Sequence, residues 1–277
     1  MGILYRYYDK WGLNVLAEGR IHLNPPKEYN DPFEFLPRAI DVSQMPREGL
    51  VELLRNDFDG WYERIGRLQN HASKEDAREY VKTHEDEVVD DMISAAPENV
   101  EKLKEDFLKQ SSDRIAVGCF SNNHKSILMW SHYADKHAGI LVGFDTKHHP
   151  FNDTGRLDIL PVDYRAERAT FTHHRTVPEF WQSFSGVARR KGLVWEYEDE
   201  VRMVIYQSLL DEPGFLSLGP KAVACVVYGC RCSLTYKMAA RKELDEPRLQ
   251  HVAIYQAKEH KTDYKLDFVR VRRRTRI

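Results

Sequence analysis

WEYEDEVRMVIY, residues 195–206, is the stretch on which the fold turns. As a β-strand it alternates its side chains between two faces. Trp195, Tyr197, Val201, Met203 and Ile205 then share one face, with Asp199 as the odd member. Glu196, Glu198, Glu200, Arg202 and Val204 share the other. Like charges stacked on one face of a sheet repel. Such a face is therefore either solvated or the wall of a cleft. The apolar back of this strand, and the apolar strand AVACVVYG (222–229) that follows, favour an interior position with an acidic cleft face. There Glu198 or Glu200 beside Arg202 is either a paired structural carboxylate or a group that polarises a hydroxyl or steadies a developing cation.

Further strands lie on both sides. ILYRYY (3–8), RIHLN (20–24), RIAVGCFS (114–121), AGILVGFD (138–145), ILPVDY (159–164), HVAIYQAKE (251–259) and YKLDFVRV (264–271) all read as strands. Helices are expected at WGLNVLAEG, capped by Gly19, at KSILMWSHYAD, around 177–192 and near 234–245. Between residues 46 and 111 the pattern changes. Leu50, Leu54, Phe58, Trp61, Ile65 and Leu68 fall on one helical stripe. Val81, Val88, Val89, Met92 and Ile93 mark a second helix, and Val100, Leu103, Phe107 and Leu108 a third that starts near Pro97. The expected fold is α+β: one domain over 1–277 with a mixed, mostly antiparallel sheet and a helical insertion at 46–111.

Composition narrows the function classes. The 277 residues are 42% hydrophobic and 30% charged, as in an ordinary soluble globular protein, and the net charge of −2 argues against a wholly electrostatic nucleic-acid binder. Arg270, Arg272, Arg273, Arg274 and Arg276 crowd the C-terminus, as a solvated tail or as a contact for nucleic acid or an acidic partner. No apolar run approaches the roughly 20 residues of a membrane span, and MGILYRYYDK lacks the layout of a signal peptide. Cys119, Cys225, Cys230 and Cys232 have neither disulfide-scaffold nor zinc-ribbon spacing, so a reducing cytoplasm is expected. The pairs His148-His149 and His173-His174 read as loop histidines rather than joint ligands. Glycine-rich phosphate loops, nucleophile elbows and zinc-protease motifs are absent.

Two other stretches concentrate polar groups beside aromatics. In YNDPFE (29–34), Asn30 and Asp31 are either turn formers, with Phe33 and Phe35 as anchors, or donors and acceptors for a ligand. In the segment 119–145, Met129, His132, Tyr133 and Lys136 or His137 share a helical stripe whose tips are polar. Ser121, at the end of a strand, is either a turn residue or part of a site.

Taken together, LYRY, YNDPFE, CFS, MWSHYADKHAGILVGF and the pattern K-x3-W-x-Y-E-x-E-x-R from Lys191 to Arg202 resemble a bacterial family catalogued as domain of unknown function 2971. More distantly, the order of motifs resembles ADP-ribosyltransferase domains of the DNA-modifying toxin type. That resemblance implies NAD as co-substrate, with Arg6 in the first strand holding it and Tyr7 beside it. It implies Glu200, with Glu198, as catalytic carboxylates, and Ser121 or Tyr133 in the middle motif, which lacks a full Ser-Thr-Ser. Asn30, Asp31, His132 and Arg202 complete the candidate NAD-binding set. A toxin or anti-phage effector acting on nucleic acid or protein, restrained by an antitoxin or regulatory protein, would follow. Two readings compete: a non-catalytic ligand- or partner-binding module, and a nuclease with magnesium on Asp31, Glu198 and Glu200.

Overall fold

A computed structural model describes residues 2–38, 46–56, 58–63, 65–169 and 184–273, apart from the side chains at 95–104. The chain forms two compact units, Met1–Glu34 with Ser111–Ala166 and Ala188–Ile277, and Phe35–Gln110 with Glu167–Val187. The first begins with β1 (Ile3–Tyr8), α1 (Gly12–Glu18) and β2 (Arg20–His22). The second supplies α2 (Arg47–Asn56), α3 (Phe58–Tyr62), α4 (Gly66–Gln69), α5 (Lys74–Thr83) and most of α6 (Glu85–Arg114). The chain then adds β3 (Ile115–Ser121), α7 (Ile127–Tyr133), β4 (Ile140–Asp145), β5 (Leu157–Pro161) and β6 (Asp163–Arg165). After β7 (Arg190–Gly192) come β8 (Glu200–Tyr206), β9 (Phe215–Ser217) and β10 (Val223–Tyr228). Helix α8 (Leu234–Leu244), β11 (Ala253–Glu259) and β12 (Leu266–Arg270) close the chain.

Eight strands form one sheet in the order β12-β11-β10-β4-β1-β3-β8-β5. Its pairs are antiparallel except β10 with β11. Parallel neighbours need a crossover, and α8 lies between these two in sequence to provide it. The class is therefore α+β, as the alternation of apolar runs implies. Leu4, Val142, Phe144, Met203, Val226 and Ile254 form the core of one face with Val15 and Leu16 of α1 and Ala240 and Leu244 of α8. On the other face Met129 and Trp130 of α7 pack on Tyr7, Leu141 and Val227. Each large apolar side chain so buried stabilises the fold by roughly 1.5–3 kcal/mol before chain entropy is charged against it.

The helical unit keeps the expected stripe: Leu50, Leu54, Phe58, Trp61, Ile65 and Leu68 share a buried cluster with Val81, Val88, Val89 and Met92. Its outer charges pair at the surface, with Arg47 on Asp86 and Asp90 and Arg67 on Glu87 and Asp91. Such exposed pairs add little to stability, because water screens them. Among the described residues the three expected helices are five. Pro97 does not begin one, because α6 runs unbroken from Glu85 to Arg114; by residue type alone, a proline inside a helix looks the same as one in its first turn.

Three more expectations change. Within 177–192, residues 184–188 are helical, but Arg190–Gly192 is strand β7, parallel to β6, and 177–183 lie outside the described residues. In the opening stretch, Leu193–Glu198 is a 3-10 helix rather than a strand, and β8 begins at Glu200. Asp199 between them is left-handed, at φ +45°. Of the basic tail, Arg273 donates to the carbonyls of Leu249 (2.8 Å) and Val252 (3.0 Å), which gives it a structural task. Arg270 is exposed, while Arg274 and Arg276 lie outside the described residues, as do His173 and His174. Among the described residues no helix is long and apolar enough to cross a membrane.

Candidate functional site

The site begins with a fault in the sheet. Strand β1 pairs with β4 at six positions and β3 with β8 at seven, yet β1 and β3 pair at one, Tyr5 opposite Ser121. Both strands line a cavity of about 710 Å³, within the size range of small-molecule sites. Ser121 and Glu200 are register partners and so share the face of Tyr5, whereas Arg6 points to the opposite face. The cavity takes its walls from both faces of the sheet beside the parted strands.

On the Glu200 side lies a buried charge cluster. Lys191 Nζ stands 2.6 Å from Glu198, 3.0 Å from Glu200 and 3.3 Å from Glu34. Arg202, fully buried, donates through Nε to Glu200 at 2.8 Å, through Nη2 to Glu34 and through Nη1 to the Ala188 carbonyl at 2.8 Å. Three carboxylates thus face two cations. Glu196 and Asp199, the other two acids of the stretch, are exposed. Tyr133 of α7 donates its hydroxyl to Glu198 at 2.7 Å, and the Tyr164 hydroxyl accepts from the Glu200 amide at 2.7 Å.

Local backbone explains how Glu198 and Glu200 meet one lysine from two different elements. Ser121 Oγ donates to the Glu198 carbonyl at 2.5 Å. The Asn122 amide donates to the Asp199 carbonyl at 2.9 Å, and Asn122 Nδ2 to Asp199 Oδ1 at 3.2 Å. These bonds hold the left-handed turn that ends the 3-10 helix. A β-branched residue at that φ is strained by about 1–2 kcal/mol. Asp199→Val is therefore expected to lower stability by about that amount in a denaturant titration, and Asp199→Gly by clearly less.

Burial raises the Glu200 carboxyl, but Arg202 and Lys191 outweigh it and hold the group down at about 2. Glu34 goes the other way, since burial outweighs the same two cations and pushes it up. Burial works against the charge of Lys191, yet the three carboxylates raise it. Burial, then the bond to Glu198, pushes the Tyr133 hydroxyl up. A depressed carboxylate stabilises the fold fully above its unfolded value near 4.5 and loses that contribution as pH falls toward 2. For Glu200 the loss is about 3 kcal/mol. Glu34, being raised, opposes it only above pH 4.5. Denaturant titrations are expected to show stability falling most steeply between about pH 4.5 and 2.5, with Glu200→Gln flattening that fall.

On the other side of the cavity, Arg6 Nη1 donates to the His22 carbonyl at 2.7 Å, and its guanidinium lies over the rings of Tyr8 and Phe120. Arg20 sits 4.1 Å over Phe215 while pairing with Glu18 and Glu212. Trp11 and Asn14 add to the wall there.

Of the residues singled out from sequence, Arg6, Tyr7, Asn30, Ser121, Tyr133, Glu198 and Glu200 all line this one cavity. Three do not. Asp31 caps its own turn, its Oδ1 accepting from the Phe33 amide at 2.9 Å. His132 is exposed beside Tyr197, and Arg202 lies behind Glu200 as its support. Phe33, expected to anchor its corner, is 67% exposed, whereas the neighbouring Glu34 and Phe35 are buried. Lys191 and Glu34 were missed as site residues. For Lys191 there was a signal, because Glu198 and Glu200 cannot be buried with one arginine unless another cation is near; for Glu34 there was none. Among the described residues no group of three or more His, Cys, Asp or Glu is placed to hold a metal ion.

Residues 129–203, which carry Tyr133, Lys191, Glu198, Glu200 and Arg202, match the model of a family described as "Protein of unknown function (DUF2971)". No curated protein and no solved structure matches the chain.

Proposed function

We propose that this cavity binds NAD and cleaves its nicotinamide–ribose bond, so that the protein is an ADP-ribosyltransferase or NAD hydrolase. The observation that carries the reading is that Arg6 of the first strand and the Glu198–Glu200 pair line one cavity at the parted strands. When the C1′–N bond breaks, its electron pair leaves with neutral nicotinamide and positive charge builds at C1′ and the ring oxygen. Water or a target nucleophile then bonds to C1′ and gives up its proton. A general acid is not required, but a fixed anion beside the ribose is. Glu200, held ionised at neutral pH, suits that task better than proton transfer. Arg6 and Arg20 are the cations on the opposite wall, suited to pyrophosphate oxygens. The rings of Tyr5, Tyr7 and Tyr133 offer stacking surface near the acids.

Incubating the purified chain with NAD labelled in its nicotinamide tests the reading. Released nicotinamide is expected, accompanied by free ADP-ribose for a hydrolase or by ADP-ribose on nucleic acid or protein for a transferase. A toxin or defence role would appear as growth arrest on expression, abolished by Glu200→Gln. Saturable NAD binding without release in the presence of every target class would favour a non-catalytic binding module instead.

A further inference from the structure

Lys191 meets three carboxylates at once and is one of three lysine or arginine side chains on the cavity wall, with Arg6 and Arg20. It comes from β7, a three-residue strand outside the main sheet, and Trp195 closes over it with its ring 5.0 Å from Nζ. The carboxylates on it come from three different elements. Glu34 is on the loop after the Pro26–Glu28 turn, Glu198 ends the 3-10 helix, and Glu200 begins β8. Arg202 reaches Glu200 and Glu34. Among the described residues, the Glu198 carboxylate is held by Lys191 and by the Tyr133 hydroxyl.

We infer that Lys191 is a positioning residue of the site, the cation that holds Glu198 and Glu200 side by side as a pair of anions facing the cavity. The inference rests on the reading of an NAD-cleaving site. Two carboxylates this close cannot both stay ionised without a cation between them, and one takes a proton when that cation is lost. Other ionisable groups among the described residues face the pair. Arg202 binds the Glu200 end, Glu34 is a third acid, and burial pushes the Tyr133, Tyr164, Tyr197 and Cys119 protons up, so that they are kept at neutral pH. Tyr29 behind Cys119 does the same. None of them can replace Lys191 beside Glu198.

Lys191→Met leaves three buried acids with one arginine, and that variant alone could fail to fold. The double variant Lys191→Met/Glu34→Gln restores the balance of the native cluster, one acid in excess of cations. It is expected to fold and to melt above Lys191→Met, though below Glu34→Gln, because two buried acids then share one cation. Compared with Glu34→Gln, its NAD turnover at pH 7 is expected to fall about tenfold or more, and the acid limb of its pH–rate profile to move up by about one pH unit. Lys191→Arg is expected to recover much of the acid limb. A double variant with the turnover and acid limb of Glu34→Gln would overturn the inference and leave Lys191 a structural cation.

A readout independent of turnover separates this from the fate of the NAD reading. Infrared spectra of protein carrying ¹³C-labelled glutamate are expected to show, at pH 6, a buried protonated carboxyl in the double variant that is missing from Glu34→Gln. If wild-type protein releases no nicotinamide, the NAD reading has failed, and this spectrum alone decides the role of Lys191. Identical spectra would overturn it.

Discussion

Arg202→Met is expected to destabilise the protein by about 3–5 kcal/mol, the usual cost of removing one partner from a buried ion pair. Arg202 is fully buried, and it gives Glu200 two of its bonds and Glu34 one. Methionine fills much of the same volume, so the loss comes from charge. Among the described residues, Glu34 and Glu200 then keep one cation, Lys191, which already carries Glu198. In a chain of this size the melting temperature should fall by on the order of 10 °C. A second variant separates charge from packing: Arg202→Met/Glu34→Leu removes one of the stranded acids and is expected to recover part of the loss. If the double variant is no more stable than the single one, packing rather than charge accounts for the effect.

Glu200→Gln is expected to lower NAD turnover by roughly 10²–10³-fold, the scale on which a preorganised electrostatic group acts in a transition state. Binding should change far less, because a uniform loss of affinity would raise KM and leave kcat in place. Some stability is lost as well, since the carboxylate is an anchor for Arg202 and Lys191. The two effects are separable. Turnover measured well below the melting temperature of the variant reports the chemistry, and the denaturation midpoint reports the anchor. A variant that keeps wild-type kcat would remove Glu200 from the reaction and leave it a structural acid.

The sheet was legible because its strands are short apolar runs bounded by turn residues, and the helical stripe from Leu50 to Leu68 because its spacing is regular. The stretch 195–206 shows where legibility stops. Alternation put Glu198, Glu200 and Arg202 on one side, and they do converge, although Leu193–Glu198 is not a strand. The left-handed Asp199 breaks the period-two rule, and it owes its conformation to Ser121 and Asn122, 77 residues earlier in the chain. No local pattern carries that information. Glu34 was hidden for a similar reason. It sits in a turn-rich segment between two phenylalanines, and sequence offered Phe33 as the buried neighbour when the acid is the one inside. The cavity itself comes from β1 and β3 pairing at a single position, a property of register that residue types do not announce.

A crystal of the protein soaked with NAD, or of Glu200→Gln if turnover is fast, measures the central claim directly. The expected density is a dinucleotide in the slot between β1 and β3. Its pyrophosphate should lie within hydrogen-bond reach of Arg6, about 3 Å, and its nicotinamide ribose against residue 200. An empty slot at saturating NAD, or a dinucleotide bound away from both residues, would contradict it.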